Sequence, residues 1–210
     1  MAETEREKHV EYQRRYFDTN YNFFRQAIPE DIRERTRLIV AKSGIAADSR
    51  VLDVGTGMGV LIEYFLELGV SERNVVGCDL SSMMLAEARK RFPQVTFWQG
   101  DVQELPASVG QFDAVFFNAC FGNIFDQRLV IGKMRSILRS GGKVVISHPL
   151  GNAFVEKLKQ QDPQLVLQLL PDRDMLQKWC GDFHYQLVEF TDEEQFYLAV
   201  LRASAGPERN

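Results

Sequence analysis

The sequence predicts an α/β fold with a mostly parallel sheet, and three observations lead to this prediction. The chain has 210 residues, of which 45% are hydrophobic and 26% charged, enough for one sizeable core but short for two domains. After residue 44, short apolar runs alternate with helical periods, a pattern typical of repeated βαβ units. The last two apolar runs flank a short polar segment, which indicates a closing antiparallel pair.

The N-terminal part precedes this alternation. Residues 4–27 mix charged and aromatic residues, which predicts an aromatic-faced helix or a pair of short helices. Residues 30–42 predict a second amphipathic helix, because Pro29-Glu30-Asp31 favours a helix start and Ser43-Gly44 a helix stop.

The alternating part predicts its elements in order. Strands are expected at Arg50–Val54, Asn74–Cys78, Val95–Gln99, Phe112–Asn118, Lys143–Ser147, Tyr185–Phe190 and Gln195–Arg202. Helices are expected near 58–68, 82–92 and 127–139. Three irregular segments remain: helical pieces over 149–181 broken at Asp162-Pro163 and Leu170-Pro171, a turn at Thr191-Asp192-Glu193-Glu194, and a frayed end at Ala203–Asn210.

Composition argues against several kinds of partner and of structural site. The net charge of −4, with no stripe of Lys and Arg, argues against nucleic acid. Cys78, Cys120 and Cys180 are widely spread, so we expect neither a disulfide framework nor a zinc site, and a reducing cytoplasm fits best. No apolar stretch reaches a membrane-spanning length, so we expect no membrane partner.

The strongest motif is Val51-Leu52-Asp53-Val54-Gly55-Thr56-Gly57-Met58-Gly59-Val60-Leu61, an apolar strand whose glycine-rich turn opens a helix. Glycines let a ligand approach the backbone closely, with helix N–H groups facing it. Val60 stands where a dinucleotide fingerprint has its third glycine, and Asp53 would repel a pyrophosphate and attract an ammonium group. The motif favours a nucleoside that carries an amino acid, unless the turn serves only backbone geometry.

Two further strand ends carry acids. Asp79 can accept hydrogen bonds from both ribose hydroxyls, or alternatively cap the helix that begins near Ser82. Asp101 follows the third strand. Because ligands of open α/β sheets bind at the carboxyl edge of the strands, we expect Asp53, Asp79 and Asp101 to line one site.

In this order, the segments VLDVGTGMG, GCDLS, GDVQELP, FDAVFFNACFGNI and LRSGGKVVISHP resemble the motifs of class I S-adenosylmethionine-dependent methyltransferases of the small-molecule type. The resemblance covers roughly residues 45–203. It implies a Rossmann-like seven-stranded sheet of order 3-2-1-4-5-7-6, with the last strand antiparallel and helices on both faces, and S-adenosyl-L-methionine as the cofactor. We expect one methyltransferase domain over 1–210, with a helical lid (1–43), a cofactor-binding half (44–148), an acceptor-covering insertion (149–181) and closing strands (182–203).

The resemblance also implies which residues bind the cofactor. They are Asp53, Gly55, Thr56, Gly57, Gly59, Asp79, Leu80, Asp101, Val102 and Asn118. Asp53 and Gly55 would hold the methionine moiety and Asp79 the ribose. Asp101 would meet the adenine amino group, with Leu80 and Val102 on the adenine faces. Asn118 would lie beside the departing methyl group.

Methyl transfer from a sulfonium requires alignment and exclusion of water, and no metal. An amine or hydroxyl acceptor would benefit from a general base. His148, which follows the fifth strand, is the candidate for this role; alternatively it is a packed histidine bonded to a backbone carbonyl.

Aromatic residues suggest where the acceptor lies. Tyr12, Tyr16 and Tyr21 form a lid whose rings stabilise the sulfonium, or instead pack their helix onto the sheet. Phe121 and Phe154 are further candidates for contact with the acceptor. The apolar content of 149–181 predicts a small hydrophobic or aromatic acceptor, or a homodimer contact.

Two other functions compete with methyl transfer. An NAD(P)-dependent oxidoreductase is disfavoured by Val60, Asp53 and the antiparallel ending. A regulatory or scaffold protein that binds S-adenosylmethionine without catalysis stays open. Asn118-Ala119-Cys120-Phe121 lacks the Pro-Pro-aromatic tetrapeptide of nucleic-acid amino-methyltransferases. The prediction is methyl transfer to oxygen, nitrogen or carbon of a small acceptor.

Overall fold

The computed structural model describes residues 4–204. Residues 1–3 of the predicted lid and 205–210 of the predicted frayed end therefore lie outside the described residues. The strands are β1 (Val51–Val54), β2 (Val75–Asp79), β3 (Thr96–Gln99), β4 (Phe112–Asn118), β5 (Leu138–His148), β6 (Tyr185–Glu193) and β7 (Phe196–Ala203). The α-helices are α1 (Glu5–Asn20), α2 (Glu30–Ser43), α3 (Val60–Glu67), α4 (Ser82–Arg91), α5 (Gln127–Ile137), α6 (Gly151–Gln161) and α7 (Arg173–Phe183).

The strands form one seven-stranded sheet of order β3-β2-β1-β4-β5-β7-β6. Strands β1 to β5 run parallel to one another, and β7 is antiparallel to both β5 and β6. The predicted topology is confirmed. The carboxyl ends of β1, β2 and β4 therefore lie at one edge of the sheet. The strand order reverses between the adjacent strands β1 and β4.

The core lies on both faces of the sheet, because successive residues of a strand point to opposite sides. On one face, Phe116 packs against Phe65 of α3, with ring centroids 4.9 Å apart. On the other, Phe117 packs edge-on against Phe121 at 5.2 Å. Helices α2 and α3 cover the first face, and α5 and α7 cover the second.

Local signals explain the helix ends. The chain before α2 has Pro29 at the N-cap, and Gly44 ends the helix in the left-handed conformation, as predicted. Helix α6 ends just before Asp162-Pro163, and α7 begins after Leu170-Pro171, with Asp172 accepting a hydrogen bond from the backbone of Met175. Between α1 and α2 the chain forms only a short 3₁₀ turn, Phe23–Arg25.

The structure corrects three predicted boundaries. The predicted turn at Thr191–Glu194 is wrong, because β6 continues through Glu193, which pairs with Phe196 and leaves a two-residue turn. Within the described sheet, strand β6 has one neighbour, so its polar side chains can face solvent without breaking the strand. Strand β5 begins at Leu138, directly after α5 and five residues before the predicted start at Lys143. Ala203, predicted as frayed, belongs to β7.

Candidate functional site

A cavity of about 630 Å³ opens at the carboxyl edge of β1, β2 and β4. Its walls come from the glycine-rich turn, the ends of these strands, the loop before α5, the start of α6 and the N-terminal helices. The predicted site residues that line it are Asp53, Gly55, Thr56, Gly57, Asp79, Leu80, Asp101, Val102, Asn118 and Phe154. The three strand-end acids therefore share one cavity.

The glycine-rich turn needs its glycines for different reasons. Gly55, Gly57 and Gly59 all have positive φ, at 67°, 53° and 81°. A Cβ on Gly55 would lie 2.7 Å from the Cβ of Cys120, and one on Gly59 would lie 2.6 Å from the ring of Phe92. A Cβ on Gly57 would meet none of the atoms of residues 4–204 within 4 Å. Gly57 thus presents bare backbone to the cavity, whereas Gly59, which does not line the cavity, allows packing at the start of α3.

Asp53 is buried in the floor of the cavity, at 2% exposure. Its Oδ2 accepts a hydrogen bond from the Thr56 hydroxyl at 2.6 Å. Burial, opposed by the Thr56 hydrogen bond and assisted by the nearby Asp79 carboxylate, raises the pKa of Asp53 to about 7. A cationic group bound beside Asp53 would favour its ionised form.

Asp79 is held rigidly at the end of β2. Its Oδ2 accepts from the Gly57 amide and its Oδ1 from the Ser81 amide, both at 2.8 Å. Burial raises the pKa of Asp79, and these backbone hydrogen bonds lower it. The proposed capping of α4 by Asp79 is wrong, because Ser81 is the N-cap and accepts from the Met84 amide at 3.1 Å. The remaining lone pairs of Asp79 are free to accept from a ligand.

Asp101 is tied to the first helix. Its Oδ2 accepts from Arg6 Nε at 2.8 Å, and its Oδ1 accepts from the Gln103 amide at 2.9 Å. Arg6 also pairs with Glu104. The start of α1 therefore lies beside the loop that follows β3.

The end of β4 brings polar atoms to the cavity. Asn118 Oδ1 accepts from the Ser147 hydroxyl at 2.9 Å. Ala119 has a positive φ of 55°, and Cys120 follows with its Sγ 3.1 Å from the Val54 carbonyl oxygen. Burial raises the pKa of the Cys120 thiol well above its usual range, so the thiol stays protonated.

Phe121 is a fully buried core residue, in contrast to its predicted contact with the acceptor. Its ring packs against Phe117 and Trp179, on the face of the sheet that α5 and α7 cover, and does not line the cavity.

His148 is also buried, at 5% exposure, and does not line the cavity. Its Nδ1 accepts from the Leu150 amide at 3.1 Å, so its partner is a backbone amide rather than the carbonyl considered above. Burial lowers the pKa of His148 to about 4, which keeps the ring neutral. The residues that follow it, Pro149, Leu150 and Phe154, do line the cavity.

Helix α1 covers the cavity with a face that the sequence reasoning missed. The residues of α1 that line the cavity are His9, Val10, Gln13 and Phe17. The three candidate lid tyrosines do not: the Tyr12 hydroxyl donates to Asp162, Tyr16 packs edge-on against Phe17, and Tyr21 ends the helix. Residues 9, 13 and 17 are spaced four positions apart, so they lie on one face of a helix. This spacing is the sequence signal that could have identified the lining face.

Side chains of α1 contact the backbone of the loop before α5. His9 Nε2 lies 2.8 Å from the Asn123 carbonyl oxygen, and Gln13 Nε2 donates to the same oxygen at 2.7 Å. At the far end of the helix, Asp18 accepts from the Ser81 hydroxyl at 2.6 Å. Helix α1 thus contacts both sides of the cavity.

Within residues 4–204, no cluster of three or more His, Cys, Asp or Glu side chains is placed to hold a metal ion. No helix in this range is long and apolar enough to cross a membrane.

A family model described as a methyltransferase domain matches residues 51–142. The chain is 27% identical over 190 residues to a demethylmenaquinone methyltransferase of Paenarthrobacter aurescens, covering 80% of this chain and 74% of the relative. It is 36% identical over 111 residues to a ubiquinone/menaquinone biosynthesis C-methyltransferase UbiE of Desulfotalea psychrophila, covering 52% and 45%.

A similar fold occurs in the 1,6-didemethyltoxoflavin-N1-methyltransferase of Burkholderia thailandensis, solved with 1,6-didemethyltoxoflavin and S-adenosylhomocysteine. The TM-score is 0.70 at 19% identity, and the match covers 98% of this chain and 93% of that one.

Proposed function

Since this chain is a class I S-adenosylmethionine-dependent methyltransferase, we propose that it methylates a ring carbon of a small, uncharged, quinol-type acceptor. The observation that carries the proposal is one continuous cavity whose wall combines three acids with many aromatic and aliphatic side chains.

The acidic part suits S-adenosylmethionine. Asp53 would pair with the ammonium group of the methionine moiety, and Asp79, held by two backbone amides, would accept from the ribose hydroxyls. The bare backbone of Gly57 leaves room for the ligand beside it. When bound, S-adenosylmethionine supplies an electrophilic methyl group on a sulfonium.

The apolar part suits an uncharged aromatic acceptor. The apolar side chains that line the cavity include Phe17, Phe24, Ile28, Leu150 and Phe154. Among the described residues that line the cavity, none is a lysine or arginine, so a carboxylate or phosphate would lack a countercharge. The names of the relatives support a quinone-type acceptor. These side chains would hold the ring in place and exclude water from the reacting atoms.

Turnover tests the proposal. Purified protein is incubated with S-adenosylmethionine labelled in its methyl group and with chemically reduced 1,4-naphthoquinone or demethylmenaquinone. The expected product is a C-methylated ring that carries the label, identified by mass spectrometry. S-adenosylmethionine binding without methylation of either quinol would contradict the acceptor class and leave the cofactor assignment standing.

Three sequence predictions stay proposals alongside this function. The cytoplasm is the proposed location, supported by cysteines that are all free within residues 4–204. The absence of nucleic acid among the partners and a homodimer contact through 149–181 also stay predictions, and sedimentation would test the dimer.

A further inference from the structure

We propose that His9 is the catalytic base, and that its Nδ1 removes the proton from the acceptor hydroxyl. This inference rests on the proposed function, since it assumes an acceptor with a hydroxyl. It replaces His148, whose Nδ1 already accepts from the Leu150 amide and which does not line the cavity.

The tautomer of His9 follows from its partner. His9 Nε2 lies 2.8 Å from the Asn123 carbonyl oxygen, and a carbonyl oxygen can only accept a hydrogen bond. Nε2 therefore carries the hydrogen. In the neutral ring, Nδ1 then has a free lone pair, the form that a general base requires.

The ring is held in place around this bond. Phe125, in the same loop as Asn123, packs against it in a tilted arrangement with centroids 6.0 Å apart. Gln13, one turn along α1, donates to the Asn123 carbonyl at 2.7 Å and to the Leu165 carbonyl at 3.1 Å. The Asn123 carbonyl thus has two donors and a fixed direction, which fixes the imidazole as well.

His9 shares a wall with both ligands' proposed positions. His9 and Asn123 line the cavity, as do Asn118 on the cofactor side and Phe154 on the apolar side. The segment from the end of β4 to residue 125 therefore carries both Asn118, proposed to lie beside the cofactor, and Asn123, the anchor of the base. An acceptor bound in this cavity would therefore have His9 in the surrounding wall.

Proton transfer to His9 activates the acceptor ring for methyl transfer. The acceptor O–H bond breaks and its proton goes to His9 Nδ1, which raises the electron density of the ring. A ring carbon then forms a bond to the methyl group while the carbon–sulfur bond breaks and its electron pair stays on sulfur. Loss of the hydrogen on that ring carbon as a proton and return of the His9 proton to oxygen restore the quinol, so one proton is released per turnover.

The His9→Gln variant tests this role. Glutamine keeps an N–H donor for the Asn123 carbonyl and lacks the lone pair at Nδ1. We expect a 10²–10⁴-fold lower kcat with reduced naphthoquinone, the usual range for a lost general base, and unchanged affinity for S-adenosylmethionine. Glu11→Gln, on the solvent side of the same helix and paired with Arg14 and Arg15, is the matched control and should keep the wild-type kcat.

Chemical rescue separates catalysis from structure. Added imidazole should restore part of the activity of His9→Ala in proportion to its free-base concentration. The defect of His9→Gln should also shrink for naphthols whose hydroxyl is already ionised. A defect that imidazole does not relieve and that is equal for all acceptors would overturn the proposal, as would loss of turnover in His148→Asn but not in His9→Gln.

A second measurement is independent of turnover. In the S-adenosylhomocysteine complex of protein with ¹⁵N-labelled histidine, the His9 signals, assigned with His9→Gln, should show hydrogen on Nε2 only. Addition of 1-naphthol should move the Nδ1 resonance. If the quinols are not methylated but 1-naphthol moves this resonance, the acceptor class is wrong and the role of His9 stands. If 1-naphthol leaves it unmoved, the His9 proposal fails.

Discussion

The guanidinium of Arg6 lies 2.7 Å from the carboxylate of Asp101 and so joins the first helix to the loop after β3. Asp101 is the residue that the resemblance places at the adenine amino group. One carboxylate would therefore serve the lid and the cofactor together, and cofactor binding and closure of α1 are expected to depend on each other.

Arg6→Gln should loosen α1 and weaken cofactor binding by a modest factor. The pair is partly exposed, so its loss is expected to cost no more than about 1 kcal/mol, roughly a fivefold change in affinity. Hydrogen exchange of the α1 amides and titration with S-adenosylhomocysteine measure the two effects. Arg15→Gln, which removes an exposed pair within α1, is the control. Faster exchange in α1 without any change in affinity would mean that lid and cofactor are uncoupled.

Asp79→Ala should lower the affinity for S-adenosylmethionine by roughly 10- to 100-fold or more. The variant removes the acceptor of the ribose hydroxyls and frees the Gly57 amide, and charged hydrogen bonds contribute about 1.5–3 kcal/mol each. Isothermal titration with S-adenosylmethionine, S-adenosylhomocysteine and NAD measures the loss. Asp182→Ala, whose carboxylate pairs with Arg128 on the surface, is the control. Undiminished binding by Asp79→Ala would place the ribose elsewhere.

Cofactor affinity should rise with pH through about 7. The pKa of Asp53 is raised to about 7, so below that pH the carboxyl is protonated and cannot pair with an ammonium group without losing its proton. The affinity should fall by up to tenfold per pH unit below this value. Adenosine, which has no ammonium group, is the matched ligand and should bind with a flatter profile. In Asp53→Asn the profile for S-adenosylmethionine should also flatten.

The contribution of Asp53 to the free energy of unfolding of the cofactor-free protein should fall as pH rises, whereas cofactor affinity should increase. Between pH about 4 and about 7, folded Asp53 keeps its proton while the unfolded residue, with a pKa near 3.8, has lost it. The folded state then binds more protons, so the free energy of unfolding from this group falls as pH rises. Denaturant titrations of wild type and Asp53→Asn across this range test it. A wild-type curve that rises relative to the variant would contradict the raised pKa.

Alanine substitutions at two glycines of the turn should have different main effects, one on stability and the other on cofactor affinity. Gly55→Ala combines a positive φ with a Cβ 2.7 Å from Cys120, so it should destabilise the fold by more than the roughly 1–2 kcal/mol of the φ strain alone. Gly57→Ala has the strain but no clash, and its methyl would lie at the cavity. We expect a smaller loss of melting temperature but a clear loss of cofactor affinity. Equal stability of the two variants would argue against the close packing of Gly55.

Much of the fold could be predicted from the pattern of apolar and polar residues in the sequence. Strand β4, Phe112–Asn118, has its predicted bounds because a continuous apolar run is expected of a strand covered on both faces. The turn after β6 was misplaced because Thr191, Asp192 and Glu193 are polar, and on an edge strand polarity does not distinguish strand from turn.

The site was less predictable, because side-chain direction depends on packing. The sequence places His148 at a strand end, but whether it or its neighbour points into the cavity depends on the pleat. Helix α1 has aromatic residues on two faces, and the pattern does not tell which face lines the cavity. In the structure His9, Gln13 and Phe17 line the cavity, whereas Tyr12 and Tyr16 pack against the hydrophobic core, as their alternative role predicted.

The interior position of β7 has a consequence for synthesis of the chain. β7 is made after every other strand of the described sheet, yet it lies between β5 and β6. Until Phe196–Ala203 leave the ribosome, the Val144–Ile146 edge of β5 has no partner on that side and can pair with another nascent chain. A premature stop before Phe196 would thus preserve the glycine-rich turn and all three acids, yet yield a product prone to aggregate.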